Sequence, residues 1–133
     1  MKKWNKSGSV LLMVVFAVAL LSVLVAGMLH ANTEELMLMK NHVGSEISLE
    51  IALAGLNAAF AEIRSDSSWS EGFKNKPFGG GSYDVIVTGT PPKLDVNSIS
   101  TSAKGFKTAI SAEIVVSNDS PYIIRVDRLR INE

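Results

Sequence analysis

The chain has 133 residues, no cysteine, and 13 basic against 13 acidic side chains. Without cysteine there is no disulfide framework, no thiolate chemistry and no lipidated-cysteine anchor. The balanced charge carries no nucleic-acid footprint, and the length allows one small domain beside an apolar N-terminal run, not two.

The chain opens Met-Lys-Lys-Trp-Asn-Lys-Ser-Gly, short and basic. From Val10 to Met28 nothing is charged; the run is VLLMVVFAVALLSVLVAGM, with Ser22 and Gly27 as its small interruptions. A hydrocarbon core of ~30 Å takes about 20 apolar residues as helix, so this run is long enough to span it. Lys2, Lys3 and Lys6 hold the N-terminal end in the cytoplasm. A secretory signal peptide has an apolar stretch of roughly 7–15 residues and an A-x-A-like cleavage site. Here the run is longer and Leu29-His30-Ala31 is a poor match. A plain signal anchor stays open from these residues alone.

From Ala31 to Arg64 the pattern is helical and contains no proline. Asn32-Thr33-Glu34-Glu35 has the residue types of a fresh N-cap, but an unbroken helix leaving the bilayer near His30 is the simpler expectation. One stripe runs Leu36, Met39, Val43, Ile47, Ile51, Ala54, Ala58, and a second runs Leu49, Leu53, Leu56, Phe60, Ile63. Spacing by three and four makes an apolar helix face. The second stripe exists only in the C-terminal half, so 30–48 is expected to be thinly covered and 49–64 buried against a sheet. Gly55 stands among Ala52, Ala54, Ala58 and Ala59, where another backbone can come close.

Residues 65–81 read as a loop, with Trp69, Phe73 and Phe78 among Ser, Gly, Lys and Pro, ending in Gly79-Gly80-Gly81. Those glycines lack the following Lys-Ser/Thr and the preceding strand of a phosphate loop. From Ser82 the period becomes two. Tyr83, Val85 and Val87 alternate with Asp84, Ile86 and Thr88, which predicts a strand. Gly89-Thr90-Pro91-Pro92 breaks it, 94–97 reads as a connector, and Ser98 to Ala103 as a second, more polar strand. Residues 106–117 form a third strand and Tyr122 to Ile131 a fourth, with Asn118-Asp119-Ser120-Pro121 as the turn between them. In the last strand Ile123, Arg125, Asp127, Leu129 and Ile131 share one face, and Tyr122, Ile124, Val126, Arg128 and Arg130 the other. Neither is cleanly apolar, as suits an edge strand guarded by charge. Turns this short impose antiparallel pairing. The expected fold is α+β: one long N-terminal helix, its second half packed on a meander of about four strands.

Lys-Ser-Gly8-Ser9 followed at once by an apolar helix resembles the prepilin-type start of the type IV pilin and type II secretion pseudopilin superfamily. Three further places resemble its smaller members: Ile51-Ala52-Leu53-Ala54-Gly55-Leu56-Asn57-Ala58-Ala59, with Leu53 where those proteins usually have Glu; Trp69 after a Ser/Asp-rich helix end; and Gly81-Ser82-Tyr83-Asp84-Val85 ahead of a serine-rich strand. The resemblance implies a pilin-like fold divided as leader 1–8, transmembrane helix half 9–29, amphipathic helix half 30–64, loop 65–81 and antiparallel sheet 82–133, with 30–133 as a single periplasmic domain. It implies a single pass through a bacterial inner membrane, N-terminus cytoplasmic and C-terminus periplasmic. It further implies cleavage after Gly8 by a prepilin peptidase, methylation of Ser9, and a structural role in assembly. Losing residues 1–8 removes three lysines and leaves 10 basic against 13 acidic residues, a net of −3. The implied partners are other pilin or pseudopilin subunits, the peptidase, an inner-membrane assembly platform and membrane lipid.

Major pilins of that superfamily carry Glu at the fifth mature residue; counted from Ser9 this is Met13. An isolated acid at mid-membrane depth costs roughly 2.5–3.5 kcal/mol or more and is kept where a partner amine neutralises it. A subunit with no predecessor has no such amine, so Met13 points to an initiating or tip subunit, with Met13 and Gly27 as residues of helix assembly. Nothing in 10–64 forces a kink.

No catalytic set and no cofactor are expected. His42 and Glu46 at i,i+4 offer two ligands at most, short of a zinc site, and read as a solvated helix face. Asn118-Asp119-Ser120 offers about three oxygens where calcium takes six to eight. No Ser is framed as Gly-x-Ser-x-Gly, and Arg125, Arg128 and Arg130 read as edge-strand charges. Two other classes are consistent with the same residues: an uncleaved single-pass protein with a small binding domain, and a membrane-tethered enzyme, which would need a convergent cleft.

Overall fold

The computed structural model describes residues 6–132; Lys2 and Lys3, two of the three lysines from which a cytoplasmic N-terminus is expected, lie outside the described residues. Element order is α1 (Lys6–Ser65), β1 (Phe73–Phe78), β2 (Gly81–Thr90), β3 (Lys93–Thr101), β4 (Lys107–Val116) and β5 (Ile124–Asn132). Helix α1 contains no proline and starts ahead of Gly8, so the last residues of the proposed leader are already helical. Two compact units divide the chain, residues 1–40 and 41–133.

In the first unit every described side chain is exposed. Ser22, the hydroxyl inside the apolar region, and Thr33 just beyond it are satisfied within the helix: Ser22 Oγ donates to the Val18 carbonyl and Thr33 Oγ1 to the Leu29 carbonyl, each at 2.8 Å. A hydroxyl bonded back to the i−4 carbonyl makes no demand on water, so nothing polar interrupts Val10 to Leu29. This helix is long and apolar enough to cross a membrane.

The second unit is a five-stranded antiparallel sheet in sequence order, β1-β2-β3-β4-β5, with residues 44–63 of α1 packed on one face. Each strand pairs with its sequence neighbour because only short turns separate them. Pairing across the sheet places Val85 opposite Ser98 and Ser98 opposite Ile110. The same face carries Tyr83, Val87, Val96, Ala112, Ile114 and Val116, all buried. Opposite residues point to the same side of a sheet, so these rows form the floor that the helix covers.

Three features depart from the sequence reading. A strand, β1, lies inside the stretch expected to be loop, making five strands instead of about four. Its composition hid it: Pro77 and two lysines on a segment only six residues long, with Asn75 in the left-handed region at φ 45° and a register shift between Phe73 and Lys76. The connector expected at 94–97 belongs to β3, where Leu94 and Val96 pair with Ile114 and Ala112. Finally, β5 carries a bulge. Glu113 pairs with Arg128 but Ile114 with Val126, leaving Asp127 as the extra residue. One inserted residue exchanges the faces beyond it. Ile124, Val126, Leu129 and Ile131 therefore share the helix side, and Arg125, Arg128 and Arg130 the outer side. Strict alternation had split both sets.

Candidate functional site: the apolar helix and the helix–sheet seam

The helix meets the sheet along small residues. Gly44, Ser48, Ala52, Gly55 and Ala59 are buried at spacings of four and three, flanked by buried Ile51, Leu56 and Ile63. Small side chains let backbones approach, and the distances show it: Ser98 Oγ in β3 donates to the Ala52 carbonyl of α1 at 2.8 Å. Ser100 Oγ donates to the Ser48 carbonyl at 2.6 Å, the two hydroxyl oxygens lie 2.8 Å apart, and Ser48 Oγ reaches the Phe106 carbonyl at 3.2 Å. A Cβ at Gly55 would lie 2.5 Å from Ser98 Oγ and 2.9 Å from Tyr83 Cδ2, so only glycine fits. At Gly44 the ring of Phe106 occupies the place a side chain would take. Ser98 and Ser100, two of the serines that made the second expected strand look polar, are thus fully buried and bond the sheet to helix carbonyls. Buried polar groups are tolerated when paired in this way.

Of the five residues expected to pack the helix on the sheet, Leu56 and Ile63 are in the core, and Leu49 and Phe60 are half-buried against it. Leu53 is corrected to the exposed side, at 37% of its surface. The leucine stripe flanks the contact because the contact itself selects for small residues. Sequence reading did single out Gly55 and its alanines; it missed Ser98 and Ser100, whose only signal was period two within a serine-rich strand, and Ser48, whose only signal was its four-residue spacing from Gly44 and Ala52 on the helix.

Gly8, Ser9, Met13 and Gly27 are helical and exposed, and a Cβ at Gly8 or Gly27 would meet nothing within 4 Å. His30 Nε2 lies 3.3 Å from Glu34 Oε1, and His42 Nε2 lies 3.0 Å from Glu46 Oε1, all exposed. Among the described residues no three of His, Asp and Glu gather as a ligand set. The Asn118–Pro121 turn is closed by Ser117, whose hydroxyl donates to the Asp119 carbonyl at 3.1 Å and accepts from the Ile123 N–H at 2.8 Å. Arg125 binds Asp127 at 2.8 Å, while Arg128 and Arg130 stand 3.6 and 3.8 Å from a single oxygen of Glu113. A groove of about 350 Å³ runs beside them on the outer face of the sheet, between Asp95, Asn97 and Asn132. What the molecule presents is therefore an uncovered apolar helix segment in the first unit and, in the second, a sheet with residues 44–63 seated on it. Compared with family models, curated proteins and solved structures, the chain matches none.

Proposed function

We propose that the protein is a minor pilin or pseudopilin, a structural subunit that helps initiate or cap a type IV pilus or type II secretion pseudopilus. The observation that carries this reading is the division of one helix. Residues 10–29 are uncharged and uncovered, while 44–63 are seated on an antiparallel sheet. The first part resides in the inner membrane and then packs with like helices in a filament core, where lipid or neighbouring helices replace water around its Leu, Val and Ala side chains. The seam at Ser48, Ala52 and Gly55 holds residues 44–63 on the sheet. Met13 in place of an acid supports a subunit at the start or tip, since an acid there would need an amine from a predecessor. No substrate is involved; the protein works by assembly.

The experiment is co-expression with a prepilin peptidase and mass spectrometry of the intact product. The expected species begins at an N-methylated Ser9. An intact Met1 under conditions where a control prepilin is cut overturns the reading. It would leave the alternative, an uncleaved single-pass membrane protein with a small periplasmic binding domain.

A further inference from the structure

The sheet has two edges, and they are built differently. At β1 the edge is blunted by the means proteins use against strand addition: six residues, Pro77, a left-handed Asn75, and two exposed lysines. Asp84 Oδ1 even takes up the Asn75 N–H at 2.7 Å. At β5 the edge is nine residues long, longer than a typical strand of about 5–6, and contains no proline, and the bulge and arginines it does carry guard it against a like-charged edge while leaving its backbone open to an oppositely charged one. The bulge at Asp127 sorts its side chains into two unlike rows. On the helix side Val126, Leu129 and Ile131 stay 44–48% exposed. On the outer side stand Arg125, Arg128 and Arg130. Arg125 has Asp127, but the guanidiniums of Arg128 and Arg130 share one carboxylate oxygen at distances too long for hydrogen bonds and make no hydrogen bond among the described residues. Each guanidinium offers five donors, so most of theirs are unspent.

We infer that β5 is a strand-addition site for an extended segment of another protein in which apolar and acidic residues alternate. Main-chain hydrogen bonds to the open edge supply the affinity and the side-chain rows the choice. The apolar residues continue the Val126–Leu129–Ile131 row, and the carboxylates meet Arg128 and Arg130, where bidentate pairing is available. A second copy of this chain fits poorly. Two β5 edges joined antiparallel in a continuous sheet keep their outer faces on the same side, so arginine row meets arginine row, and like charges opposite each other destabilise a pair. The inference does not depend on the assembly proposed above.

The test uses the full chain, isotopically labelled, in detergent micelles. The probes are a nine-residue peptide alternating valine and glutamate and its counterpart alternating valine and lysine. The expected result is at least tenfold tighter binding of the glutamate peptide, weakening as salt is raised. Amides of 124–132 should gain exchange protection, and R128E/R130E should reverse the preference. Both positions are exposed; because R128E faces Glu113 across the β4–β5 pair, unchanged spectra of β2, β3 and β4 verify the fold, and R130E alone, which faces Ser111, should abolish the preference. Equal binding of the two peptides, no binding at millimolar concentration, or a preference unaltered in R128E/R130E overturns the inference. So does concentration-dependent dimerisation of the chain through β5, which would assign the edge to a second copy.

Discussion

Residues 10–43 and 44–63 belong to one α-helix, yet they solve the burial problem in opposite ways. The first segment is rich in large apolar residues and buries none of them. The second buries a line of glycine, serine and alanine and leaves Leu53 at the surface. Size alone therefore does not mark the side that packs. A helix whose surroundings are fluid needs only that its polar groups be internally satisfied, as Ser22 and Thr33 are. A helix seated on a sheet gains most from close backbone approach, and there small residues with hydrogen-bonding partners replace bulk. The contrast can be broken or sharpened by matched substitutions in the two segments, read as thermal unfolding of the full chain in detergent micelles through the near-ultraviolet signal of Trp69 and Tyr83.

The largest effect is expected at Ile51, which is buried beside Gly81. Ile51→Ala deletes well-packed methylenes and should cost about 2–5 kcal/mol. In a domain of this size that lowers the melting temperature by roughly 8 °C or more. Leu20→Ala removes a similar volume from the exposed apolar run and should leave that transition within about 0.5 kcal/mol. Equal losses at both positions would mean that the two segments are not differently supported. Next comes Gly55→Leu. Its Cβ alone would sit 2.5 Å from Ser98 Oγ, so the helix must lift from β3, at about 1–3 kcal/mol for overpacking. Gly27→Leu meets open space and should not move the transition. A tolerated Gly55→Leu would contradict the close seam.

A smaller loss, about 1 kcal/mol, is expected for Ser100→Ala, which removes the bond to the Ser48 carbonyl while Ser48 Oγ keeps the Phe106 carbonyl. A melting temperature raised by this substitution would show that the buried hydroxyls are not stabilising. These serines also mark where sequence reading stopped. Helix length, the period-two strands and the need for a close approach at Gly55 were legible because each leaves a local pattern: an uncharged run, an alternation, a cluster of small residues. The seam partners were not, because a buried serine resembles an exposed one until its acceptor, a helix carbonyl 46 residues away for Ser98, is known. The bulge at Asp127 was invisible for a related reason. It is defined by pairing with β4, and without it Leu129 and Ile131 fall on the face of Arg125, and Val126 on that of Arg128 and Arg130. Strand β1 was hidden by the very residues that protect an edge.

The smallest effect lies where the packed segment ends. Asp66 follows the last helical residue, and its Oδ1 accepts from the Ser68 hydroxyl at 2.6 Å and from the Ser68 N–H at 2.9 Å. The hydroxyl bond first, and the backbone bond after it, hold this carboxyl below the usual carboxylate value, against a slight opposing effect of desolvation. Both bonds favour the charged form, so the folded value lies below the unfolded one. The resulting stabilisation is complete above the unfolded value and disappears as pH falls through the folded one. Asp66→Asn keeps an acceptor for Ser68 but cannot titrate, so the difference in melting temperature between wild type and Asp66→Asn isolates this group from every other carboxylate. That difference should favour wild type at neutral pH and shrink on acidification below the usual carboxylate range. Because Asp66 is fully exposed it should stay the smallest of the four effects, screened by salt. A difference that grew on acidification would mean that Ser68 binds the neutral acid better than the charged one, reversing the sense of this cap.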